Sequence, residues 1–144
     1  MRRFIIEKDF IVNGYRCIII GNNLGYRCGY IEIPEDHSLH GKHYSVIDDI
    51  IDIHGGWTYS NFTNYNYPAK ASLKSWWIGF DAAHWGDVPD IELIKSFGNN
   101  EMTRFCMEIA ELFSNFGAVI TKEYVENELI EATKQLKRLN KLRI

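Results

Sequence analysis

Short β-type apolar runs fill the front of the chain, while apolar residues recur at helical spacing only towards its end. The stretch "DFIVNGYRCIII" carries β-branched and aromatic residues on either side of Asn13-Gly14. Both residues of that dipeptide tolerate positive φ, so it marks a tight hairpin. The run "GNNLG", residues 21–25, reads as a second turn. "YRCGYIEIP" reads as a third strand, stopped by Pro34, which has no N–H for a ladder. Residues 10–33 thus predict a meander of three antiparallel strands. Residues 34–51 are polar and irregular, with a short helical turn in "SVIDDII". A fourth strand is expected over residues 51–58, a long loop over 60–74 and a fifth strand over 76–80. Gly86 and Pro89 argue against a helix directly after it.

The back of the chain is different. Met102, Phe105, Cys106, Ile109, Leu112, Phe113 and Phe116 share one helical face. Asn100 suits an N-cap and Gly117 a stop, which predicts a helix over 101–116. A last helix is predicted over 122–140. Its Val125, Leu129, Ala132, Leu136 and Leu139 step by four, three, four and three, a heptad seam. Tyr124 and Ile130 form a second apolar line off that seam, so the helix is expected to cover the sheet with one side and meet a partner with the other, as a homodimer or higher homo-oligomer; the alternative is that it docks only on its own sheet. The predicted fold is α+β: an antiparallel-rich sheet packed against two C-terminal helices, in a single domain over residues 1–144.

Composition narrows the functions. The formal net charge is −3, and Lys and Arg form no basic stripe, so general nucleic acid binding is not expected. The first apolar run is cut by Glu7, Lys8 and Asp9, unlike a secretory leader. No run approaches a membrane span. Cys17, Cys28 and Cys106 are far apart and read as reduced core thiols. The expectation is a cytoplasmic protein without membrane partners. Aromatic residues make up 14% of the chain, a high share that can serve the core, a binding pocket or both.

Two polar clusters follow apolar stretches. "DIHGGWTYS" sets His54 before Gly55 and Gly56, whose backbone can turn sharply or admit a close neighbour. "WWIGFDAAHWGD" places Asp81, His84 and Asp87 at D-x-x-H-x-x-D spacing. Such groups ligate a metal, do acid–base work, or simply cap turns. His37, His40 and His43 lie three apart, but no H-E-x-x-H or zinc-finger spacing accompanies them. That loop is expected to lend Lys42 or His43 to a neighbouring pocket. No phosphate-binding Gly-rich loop or G-x-S-x-G is present, and no cofactor is expected. The two clusters form one site if the fourth and fifth strands run parallel. An antiparallel pair would set two strand ends at opposite edges.

The motifs "GYRCGY", "HGGWTYS" and "GFDAAHWGD" together resemble a family of small bacteriophage and prophage proteins. The resemblance covers most of residues 25–140. Arg27, His54, Gly55, Gly56, Thr58, Asp81, His84, Gly86 and Asp87 match its pattern. Trp57 stands where leucine is usual and Ala82 where cysteine is usual, which argues against a thiol at the site. The resemblance implies a phage-type protein, and small phage proteins of this size often counter host defence. By analogy, this one is expected to bind a small nucleotide-like ligand and sequester it as an immune signal. Trp57, Tyr59 or Trp85 would stack the base, Arg27 and Lys42 would meet phosphates, and Asp81 or Asp87 would take ribose hydroxyls. Two alternatives stand beside that reading. One is a hydrolase using His54, Asp81, His84 and Asp87 around a metal or a water. The other is a protein-interaction inhibitor of a host enzyme.

Overall fold

Asn13 at φ +53° and Gly14 at φ +86° form the first turn, so the Asn-Gly dipeptide does take the left-handed backbone that a two-residue hairpin needs. It joins strand β1 (Phe4–Val12) to β2 (Tyr15–Asn22), and β3 (Arg27–Ile33) completes the meander. The computed structural model describes residues 3–141. After β3 come a short helix α1 (Tyr44–Asp48), strand β4 (Tyr59–Phe62) and strand β5 (Trp76–Asp81). These strands make one antiparallel sheet in the order β1-β2-β3-β5-β4. The chain continues through β6 (Asp87–Val88), α2 (Ile91–Lys95), α3 (Glu101–Phe113), β7 (Ala118–Val119) and α4 (Lys122–Lys141). The two-residue strands β6 and β7 pair in parallel. The fold is α+β. Among the described residues no helix is long and apolar enough to cross a membrane.

Both faces of the sheet are covered, so β2 and β3 are buried almost throughout. On one face Ile19, Ile31, Ile33, Ile78 and Phe80 meet α4 and the segment carrying Leu39, Ile47, Ile51 and Trp57. On the other, Ile18, Ile20, Tyr30 and Trp77 pack under Tyr67, Ala69 and Ala71 of the β4–β5 connection. The α4 seam of Val125, Leu129, Ala132 and Leu136 is wholly buried against this sheet. Burying each leucine is worth about 1.5–3 kcal/mol. The seam therefore serves the protein's own core and offers no surface to a partner. Thr133, on the same face, accepts a hydrogen bond from Asn13 Nδ2 at 3.1 Å and so ties the first hairpin to α4.

Three further expectations change. Strand β1 starts at Phe4, earlier than residue 10. Residues 51–58 form no strand, because Gly55 and Gly56 take φ of +70° and +86° and turn the chain; the fourth strand lies at Tyr59–Phe62, in what reads as loop. The helix over 101–116 ends at Phe113, and its large apolar residues do not face the core. Thr103, Cys106 and Ala110 are buried instead, and α3 packs chiefly on α2. Phe105, Leu112 and Phe116 are 57%, 72% and 63% exposed. Periodicity shows that apolar residues share a face, not what that face meets.

Candidate functional site

Tyr59 of β4 pairs with Gly79 of β5, so the start of β4 lies beside the end of β5. The residues entering β4, including His54, thus meet the residues leaving β5, from Asp81 to Asp87. The antiparallel pairing unites the two clusters because His54-Gly55-Gly56 precedes its strand rather than ending one. Thr58 shows the junction directly: its N–H donates to Gly79 O at 3.0 Å and its Oγ1 donates to Asp81 Oδ2 at 3.1 Å.

Asp87 is the hub. Its side chain is 5% exposed. His54 Nε2 lies 3.0 Å from both of its carboxylate oxygens, and the His84 N–H donates to Oδ2 at 3.0 Å. On the far side of the ring, His54 Nδ1 is 3.0 Å from the Tyr124 hydroxyl. The His54 N–H donates to Glu128 Oε1 at 2.8 Å. Burial, then the Glu128 and Asp87 carboxylates, raise the Tyr124 pKa, so its hydroxyl stays protonated and can pair with Nδ1 in either tautomer, accepting from Nδ1–H or donating to bare Nδ1. His84 packs its ring over Gly55, where an added Cβ would fall 2.4 Å from ring atoms. His84 Nδ1 is buried and makes no hydrogen bond; Asp81 Oδ1 at 3.5 Å and Asp87 Oδ2 at 3.7 Å are the nearby carboxylate oxygens. One donor atom from each of His54, His84 and Asp87 falls within 4.8 Å of the others, the sole such group among the described residues.

Other candidates have different work. Arg27 is 6% exposed, with Nε donating to Glu7 Oε1 at 2.7 Å and Nη1 to Asp90 Oδ2 at 2.9 Å and Ile120 O at 3.0 Å. Burial opposes its charge, but the two carboxylates outweigh that and hold its pKa above the ordinary value. It ties β1, β3 and α2 together and has no free face for a phosphate. Trp57 is buried at 2% exposure, its indole N–H on Ile51 O at 2.9 Å and its ring edge-on to Phe80, so it cannot stack a base. Tyr59 sits edge-on to Tyr30 and Tyr67. Gly56 sits beside Asp48, whose Oδ1 accepts the Trp57 N–H. His43 caps α1 through Ser45 N, and Lys42 is exposed beside it; no described hydrogen bond or ring contact joins either to the cluster. His37 and His40 bond to Leu136 O and Ile33 O, so the three loop histidines serve three separate places.

Trp85 is 96% exposed and borders an open groove of about 300 Å³. His84, Asp87, Tyr26, Phe113 and Phe116 also line it. Tyr124 and Glu128 were missed as site residues. Their signal was their i, i+4 spacing on α4, beside the buried seam. Phe113 and Phe116 read only as part of an apolar helical face, since nothing local marks an apolar residue as facing a groove.

Comparison with protein-family models, curated proteins and solved structures finds no match to this chain. The likeness to phage proteins rests on the quoted motifs alone.

Proposed function

We propose that this protein is a metal-dependent hydrolase centred on His54, His84 and Asp87, with the aromatic groove holding the substrate beside them. The observation that carries the reading is the convergence of two imidazoles and a nearly buried carboxylate within 4.8 Å. Two histidines and one carboxylate, with a position left open, are a familiar donor set for zinc or ferrous iron. Ligand atoms on a tetrahedral centre with bonds of about 2.0–2.1 Å lie about 3.3 Å apart. The separation of His54 Nε2 from Asp87, 3.0 Å, is close to that. The supporting groups also fit. A histidine ligand usually holds its second nitrogen on a fixed partner. Tyr124 stands at Nδ1 of His54 in this way; the His84 Nδ1 is left without a hydrogen bond, between Asp81 at 3.5 Å and Asp87 at 3.7 Å. This reading departs from the expectation of no cofactor, which rested on missing local motifs; the donors come from segments about thirty residues apart, which no local motif spans.

A metal bound here would acidify a coordinated water towards neutrality. The chain's own contribution is orientation. Asp87 holds His84 by its backbone N–H, Glu128 holds His54 likewise, and Thr58 and the Ala83 N–H fix Asp81. Calorimetric titration with zinc, cobalt and manganese is the primary test. Tight stoichiometric binding that His84→Ala and Asp87→Ala abolish is expected. Binding no tighter than that of the two variants sinks the proposal.

The exposed ring of Trp85 beside Phe113 and Phe116 supports a second reading, a binding protein that sequesters a nucleotide-like signal by stacking. Incubation with ADP-ribose derivatives and cyclic dinucleotides separates the two. Product supports the hydrolase, whereas ligand recovered intact after denaturation supports sequestration.

A further inference from the structure

Helix α3 presents three faces. Thr103, Cys106 and Ala110 turn inward, and Glu101, Arg104, Glu108 and Glu111 face solvent. Between them runs an apolar stripe of Met102, Phe105, Ile109, Leu112 and Phe113, continued past the helix end by Phe116, all at least 37% exposed. Taking about 200 Å² for a large apolar side chain, the exposed fractions amount to about 650 Å² per copy. A soluble monomer rarely exposes an apolar patch above about 300–600 Å². We propose that this stripe is the interface of a homodimer in which two α3 helices pack antiparallel about a twofold axis at Ile109.

The stripe is symmetric about that residue except at Leu112, whose counterpart position holds the buried Cys106. Met102 and Phe116 lie seven positions either side of Ile109, and Phe105 and Phe113 lie four. A twofold interface joins one patch to itself, so the patch must be self-complementary. In the antiparallel pairing Phe105 is level with Phe113 of the partner subunit, and Met102 faces the turn that carries Phe116 of the partner subunit. The surface relief agrees. Asn100, Glu101, Met102 and Phe105 line an open hollow of about 560 Å³. At the other end Phe113 and Phe116 are 48% and 63% exposed and wall the groove beside Trp85. Each copy thus carries both the hollow and the rings level with it, which favours a second copy over an unrelated protein. Two such stripes would bury about 1,300 Å², within the 1,200–2,000 Å² of specific interfaces. Phe113 and Phe116 also line the groove at His84 and Asp87, so the dimer brings Met102 of the partner subunit to its rim. The interface stands whether or not the cluster holds a metal.

Sedimentation of the full chain at micromolar concentration is expected to show a dimer. Ile109→Glu puts a charge on the axis and should weaken association by at least about tenfold. Its circular dichroism spectrum should stay that of the parent, since Ile109 is 37% exposed in each protomer, while its melt should lose the concentration dependence that association supplies. Ile109→Cys should form an intersubunit disulfide under mild oxidation, because an axial residue meets itself. Leu73→Cys, 75% exposed elsewhere, should not. A parent chain that stays monomeric at high micromolar concentration overturns the proposal. So does a dimer that Ile109→Glu leaves intact and Ile109→Cys fails to cross-link.

Discussion

Gly55 shows how much one missing Cβ decides. Its φ of +70° disfavours any side chain, and the His84 ring occupies the space one would need. Gly55→Ala is expected to lower stability by about 1–3 kcal/mol through backbone strain. It should also displace His84 and abolish metal binding; thermal melting with a parallel zinc titration checks both. Arg27 gives the opposite pattern. Removing it strands Glu7 and Asp90, so Arg27→Ala should destabilise by about 3–5 kcal/mol. Metal affinity of the folded fraction should be unchanged, and a loss of affinity without loss of stability would return Arg27 to the binding site. Cys17 and Cys28 are raised by burial to about 12 and about 11. The unfolded chain ionises its thiols from about 8.5 upward and so holds fewer protons than the folded one over that window. Stability should therefore fall as pH rises from about 9 towards 12, and both thiols should resist alkylation at neutral pH until the protein unfolds.

At the scale of elements, the two long helices invert their expected roles. Both have clear apolar faces, yet the one on α4 is buried and the one on α3 is not. Leu136→Ala should therefore cost about 2–5 kcal/mol in denaturant unfolding. Leu112, 72% exposed, should change protomer stability by about 0.5 kcal/mol or less on the same substitution. Equal losses would mean that α3 turns its stripe inward. The helices, the Asn13-Gly14 hairpin and β5 were legible because each is written in neighbouring residues. The β4 position was not. Its four residues lack a strong strand pattern, and they are a strand because β5 offers them an edge with matching register.

For the molecule as a whole, the structure divides into a firm and a loose part. The sheet is sandwiched between α4 and the 63–75 connection, while α2, α3 and the β6–β7 pair add only a small core of Ile94, Cys106 and Ala110. Local opening follows buried apolar contact. Hydrogen exchange should be slowest in β2, β3 and α4 and fastest, among the longer elements, in α3. Dilution that dissociates the proposed α3 dimer should speed α3 further, and uniform protection across both helices would contradict this division.

What the sequence determined by itself is whatever depends on near neighbours: strand and helix periods, the turn at Asn13-Gly14, the N-cap at Asn100, and the residue types able to hold a metal. His54, Asp81, His84 and Asp87 could be singled out because their chemistry and flanking glycines are local. The tertiary structure alone decided that they meet, since that depends on β4 pairing antiparallel with β5 and on α4 delivering Tyr124 and Glu128 from seventy residues away. It also decided that Arg27 and Trp57 are sealed inside and that the apolar stripe of α3 lies outside. Burial depends on which surfaces the whole chain brings together, and a residue's immediate neighbours do not carry that information.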